Sequence, residues 1–175
     1  MYDTAVMSAA DQTVALRAAT GALSAAGIDI TWLACGSGES WTNPAACAVP
    51  LAHGELAVRL VRLAGTPSAR GELSLGYSLV DTSIAEGALA TVYVDRVEWL
   101  ASQAGPHAGV DGATVLGFAV AHEVGHLLLG TNVHRAAGLM RAVWSRSELQ
   151  RNDPADWLFT AGESLAMTRA LRQRQ

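Results

Sequence analysis

The chain has 175 residues, half of them hydrophobic, and a formal net charge of −4. It contains no lysine, and no run of arginines makes up a basic footprint, which argues against nucleic acid as a partner. Length and apolar fraction suit one domain over residues 1–175 with enough burial to fold without staples, and no uninterrupted apolar stretch approaches the roughly 18 residues of a membrane span.

The opening "MYDTAVMSAADQ" lacks the basic start and apolar stretch of a signal peptide. This leaves a cytoplasmic chain or one that starts after a removed signal. A short strand is expected around Tyr2 to Met7. From Asp11 to Ala26 the sequence reads as a helix: Val14, Ala18, Ala22 and Ala25 recur at helical spacing, Asp11 is placed to cap the start and Gly27 to end it. "IDITWLAC" then alternates Ile28, Ile30 and Trp32 on one face, as a strand does. The stretch from Cys35 to Pro50 is rich in Gly, Ser, Asn and Pro and reads as loop. A bridge between Cys35 and Cys47 would close a short loop, worth roughly 2–3 kcal/mol; the alternative is two buried free thiols.

Three further strands follow: "ELAVRLVRL" (Glu55 to Leu63), "LSLGYSL" (Leu73 to Leu79) and "LATVYVD" (Leu89 to Asp95). Gly76 and the serines of the middle one suggest an exposed edge, whereas the nearly continuous apolar character of the last suggests a central position. A short helix from Arg96 to Gln103 is expected next. "DGATVLGFAVAHEVGHLLLG" reads as one long helix with Asp111 or Thr114 at its start and Gly130 at its stop. Its middle is apolar nearly all round, so it belongs at the centre of the fold. A final helix begins near Thr160. Strands and one helix come first and helices dominate the end, an α+β layout with one small mixed sheet packed on the buried helix and a C-terminal helix.

The buried helix carries the chemistry. His122, His126 and His134 are three of the chain's five histidines, within thirteen residues of apolar sequence. His122 and His126 are four apart and share one helical face, so two imidazoles can bind one zinc ion. Glu123 lies about 100° around the helix, near such a metal without being a ligand, the position of a general base. Three unpartnered polar groups in an apolar helix would be costly. A catalytic zinc takes three protein ligands and keeps one position open. His134 is the candidate third ligand: the stop at Gly130 turns the chain, and the four residues to His134 reach about 13–14 Å, enough to return. His53 and His107 sit in loops with no spacing that recommends them. "TAGE" puts Glu163 three residues after Thr160, the spacing of a capping box; the alternative is that Glu163 is the third ligand.

"HEVGHLLLGTNVH" followed by "GLM" resembles the metzincin pattern H-E-x-x-H-x-x-G-x-x-H with its Met-turn. Gly130 comes one residue late and His134 two. Together with "AGIDITWLAC" and "VYVDRV", the stretch "AHEVGHLLLG…H…GLMRAVW" resembles a family of small bacterial zinc proteases. The resemblance implies a sheet above an active-site helix, an edge strand that pairs with extended substrate, export from the cytoplasm, and Met140 as the hydrophobic floor beneath the zinc. The resulting expectation is a monomeric zinc metallopeptidase acting on peptide or protein substrates, with His122, His126 and His134 on the metal and Glu123 as base. One rival is a zinc domain without catalysis, although structural sites are usually closed by four ligands and no fourth is evident; the other is a non-metal binding module in which the histidines are incidental.

Overall fold

The computed structural model describes residues 1–36, 46–52, 54–63, 74–105 and 109–174. Its strands are β1 (Tyr2–Asp3), β2 (Cys35–Gly36), β3 (Ala57–Val61), β4 (Gly76–Asp81) and β5 (Glu86–Tyr93); its helices are α1 (Ala9–Ala25), α2 (Val94–Gln103), α3 (Gly112–Leu129), α4 (Arg146–Arg151) and α5 (Ala161–Gln173). The strands form one mixed sheet in the order β2–β1–β3–β5–β4. All pairings are parallel except the β4–β5 hairpin, which leaves β4 as an edge. The α+β layout and the interior place of β5 agree with the sequence pattern.

Inward-facing Val58, Leu60 and Val92 on the sheet join the core, and Ala90 is buried beside them. That core is built around α3, which packs against α1, α2, α5 and strands β4 and β5. Asp111 caps α3 by accepting from the Thr114 amide, and Gly130 ends it in the left-handed region at φ +63°. A side chain at Gly130 would also meet the Ala85 carbonyl of the β4–β5 turn, so the helix stops where the hairpin crosses it. By length and mean hydropathy α3 is apolar enough to cross a membrane, contrary to the expectation from uninterrupted runs; two thirds of it is buried against the other elements.

Several expected boundaries move for local reasons. Ser8, not Asp11, caps α1: its Oγ accepts from the Asp11 amide, and Asp11 sits in the first turn. "IDITWLAC" keeps its alternation without being a strand. Ile28 is buried and Ile30 and Trp32 half-buried, but ladder pairing begins only at Cys35, because the neighbouring β1 offers two residues. Trp32 is held instead by its indole N–H donating to Thr20 of α1 (2.8 Å). Val94 and Asp95 are the first residues of α2 rather than the end of a strand, and β5 reaches back to Glu86. β4 runs from Gly76 to Asp81, and Leu73 of the expected strand lies outside the described residues. Cys35 and Cys47 are joined in a disulfide across 12 positions, the kind of bond that persists in oxidising compartments.

α1 and α3 meet at a point with no spare volume. A Cβ at Gly117 would lie 2.2 Å from the Ala15 carbonyl oxygen and 2.7 Å from Ala18 Cβ. Gly117→Ala should therefore lower unfolding stability in urea by about 1–3 kcal/mol, despite alanine's helix preference of up to about 1 kcal/mol. An unchanged or raised stability would mean that the two helices are not in contact there.

Candidate metal centre

α3 delivers His122, Glu123 and His126 in its interior turns, all buried. After Gly130 the chain turns back, and the non-helical segment 131–134 brings His134, which is exposed, over the same point. The Nε2 atoms of His122 and His126 lie 3.0 Å apart, and those of His126 and His134 lie 3.3 Å apart. The three rings can hold a metal ion, with all their ligand atoms within 4.8 Å of one another.

Their tautomers follow from the other ring nitrogens. His122 Nδ1 lies 2.9 Å from the Leu139 carbonyl oxygen, and His126 Nδ1 lies 2.7 Å from that of Thr131. A carbonyl oxygen only accepts, so both Nδ1 atoms carry the proton and both Nε2 atoms present bare lone pairs. Two lone pairs 3.0 Å apart repel unless a cation lies between them. A proton is disfavoured: burial pushes His122 down to about 3, against a smaller opposing effect of the Leu139 bond. Burial lowers His126 as well, with the Thr131 bond opposing. A divalent metal fits better. Nitrogens about 2.0–2.1 Å from a tetrahedral ion stand about 3.3 Å from one another, close to the spacings seen. Nδ1 donation to a carbonyl is also the arrangement that fixes imidazole ligands on a metal.

Glu123 faces the same cleft from the side of the sheet. Ser78 Oγ, on β4, lies 2.7 Å from Glu123 Oε2 and 2.8 Å from its main-chain oxygen. Gly76 leaves the room: a Cβ there would come within 2.8 Å of Glu123 Oε1. Burial raises the Glu123 carboxyl to about 7, the Ser78 hydrogen bond pulling the other way. Here the structure corrects the sequence-based view of β4. Gly76 and Ser78 are buried and face α3, whereas Tyr77 and Leu79 face out. The signal was a polar residue at an inward position of an alternating strand, which a reading of the serines as exposed passes over.

Met140 is fully buried. A Cβ at Gly125 would lie 2.8 Å from its sulfur, so Met140 packs against α3 at Gly125. The turn before it is pinned by Arg135 N–H to the Met140 carbonyl (2.8 Å) and Leu139 N–H to the Leu158 carbonyl (2.8 Å). Glu163 caps α5 in a full capping box with Thr160, and its carboxylate is not one of the converging ligand atoms. His53 and His107 lie outside the described residues. A cleft of about 780 Å³ opens onto the three histidines and Glu123, walled by Gly76–Ser78 on β4, Trp99 and Leu100 of α2, and Ala142–Trp144.

No protein family, curated protein or solved structure matches the chain.

The raised Glu123 carboxyl makes a signed prediction. Its unfolded value is near 4.5 and its folded value about 7, so the unfolded chain gives up this proton first. The stability the neutral carboxyl contributes is full below about pH 4.5 and lost as pH rises through about 7. Metal-free Glu123→Gln, which cannot ionise, should match wild type at pH 4 and exceed it by about 3 kcal/mol at pH 8. Paired denaturant titrations with chelator present measure this; equal stabilities at pH 8 would mean that the carboxyl is not desolvated.

Proposed function

We propose that this protein is a zinc-dependent peptidase of metzincin-like design. The observation that carries the reading is the convergence of three Nε2 atoms, two of them locked as bare donors, in a cleft shared with a buried carboxylate. His122, His126 and His134 would hold the ion. Imidazole sets with an open position suit zinc, which when bound supplies a Lewis acid for the scissile carbonyl and acidifies water.

The chain's own groups do the rest. Glu123 accepts a proton from the attacking water as its oxygen bonds to the carbonyl carbon. It then delivers that proton to the departing amine nitrogen as the C–N bond breaks. Ser78 holds Oε2 and orients the carboxylate. In the metal-free protein burial raises the Glu123 carboxyl toward neutrality, a direction that suits a group that must both take and give a proton. Met140, buried against α3 at Gly125, would form the hydrophobic floor beneath the ion. β4 is an edge strand whose outer side has no partner among the described residues, so an extended peptide can pair with it and lie across the cleft. The Cys35–Cys47 bridge supports an oxidising, extracytoplasmic setting.

Wild-type protein purified without a histidine tag should contain about one zinc per chain and cleave members of a mixed peptide library. Glu123→Gln should keep its zinc and its fold while hydrolysis falls by about 10²–10⁴. A Glu123→Gln protein that cleaves as fast as wild type would remove Glu123 from the reaction. A wild type that binds zinc and cleaves nothing would leave a non-catalytic metal domain.

A further inference from the structure

Glu163 does more than cap a helix. Its side chain is 3% exposed, and its two oxygens differ. Oε2 accepts from the Thr160 amide (2.7 Å) and hydroxyl (2.9 Å). Among the described residues Oε1 is buried with no hydrogen-bond partner, and the nearest cation is Arg135 Nε at 3.7 Å. A capping box needs only one of these oxygens, and a buried carboxylate oxygen without a donor is costly. Arg135 is the residue after His134. Its amide is already tied to the Met140 carbonyl (2.8 Å), and it bridges to Arg141. The ion pair therefore holds the outer end of the segment that carries His134, the one exposed member of the three histidines and the only one outside α3.

We propose that Glu163 is a positioning residue of the metal centre: through Arg135 it fixes segment 131–135 so that His134 completes the ligand set. The inference rests on the metal-site reading above but not on peptidase activity. It makes the N-terminus of α5 part of the metal site.

The test is zinc affinity, measured by competition with a chromogenic chelator at pH 7.5, alongside thermal melting of the metal-free protein. Partners bonded directly to a ligand typically change metal affinity 10–100-fold; acting through one residue, Arg135→Gln and Glu163→Gln should each weaken zinc binding by about tenfold. Arg135→Lys, which keeps the charge, should recover most of the loss. The double variant should be no weaker than the weaker single variant, since both remove one interaction. Thr160→Ala, which damages the cap and spares the ion pair, should lower the melting temperature and leave zinc affinity within about twofold of wild type. Arg135→Gln with wild-type affinity, or losses that multiply in the double variant, would overturn the proposal. Complete loss of zinc in Glu163→Gln with zinc retained in His134→Ala would also overturn it, by making Glu163 itself a ligand. A wild type that takes up no zinc fails at the metal-site reading, an outcome distinct from any of these.

Discussion

Two imidazole nitrogens 3.0 Å apart, neither able to donate to the other, are the constraint around which this fold is arranged. Each is forced into that state by a carbonyl on the opposite side of its ring, Leu139 for His122 and Thr131 for His126. Those carbonyls belong to the two turns that follow α3, so the tautomers are set by how the chain leaves the helix rather than by the helix itself. Helical spacing alone puts two histidines on one face; the turns leave their Nε2 lone pairs free to take a metal.

The surrounding structure keeps those turns in register. Gly130 ends α3 against the β4–β5 turn, where any side chain would strike Ala85, and the release of the helix there frees Thr131 to face His126. Leu139 is held at both ends, its N–H donating to the Leu158 carbonyl and its own carbonyl accepting from His122 Nδ1. Arg141, nearly buried, donates through Nη1 to the Gly138 and Asp156 carbonyls and pairs with Glu148. The turn around Met140 is thereby fastened both to the segment before α5 and to α4. A metal centre of this kind depends on placement of its supporting groups as much as on its ligands.

How far this was legible in the sequence depended on whether the determinants were local. α3, its Asp111 cap, its Gly130 stop and the box at Thr160 and Glu163 were readable because each is decided within one or two turns of helix. The histidine spacing was readable for the same reason, and the departure of His134 from the usual metzincin interval did not prevent its return to the site. β4 was misread. Whether Gly76 and Ser78 face in or out is decided by where Glu123 lies, 45 residues later in the chain for Ser78. The segment from Ile28 to Ala34 shows the converse: its alternation records packing against α1, but a ladder needs a neighbour, and β1 is too short to provide one. The coupling of Arg135 to Glu163 joins two exposed-looking charges across a turn, a contact that no periodicity reports.

On the proposed function, His122, His126 and His134 together hold one metal ion and leave it an open position. Zinc-edge X-ray absorption on protein loaded with one equivalent of zinc tests this most directly. The account predicts three imidazole scatterers at about 2.0 Å with one further oxygen or nitrogen neighbour, falling to two imidazoles in His134→Ala. A spectrum with sulfur, with four imidazoles, or unchanged by loss of His134 would contradict it.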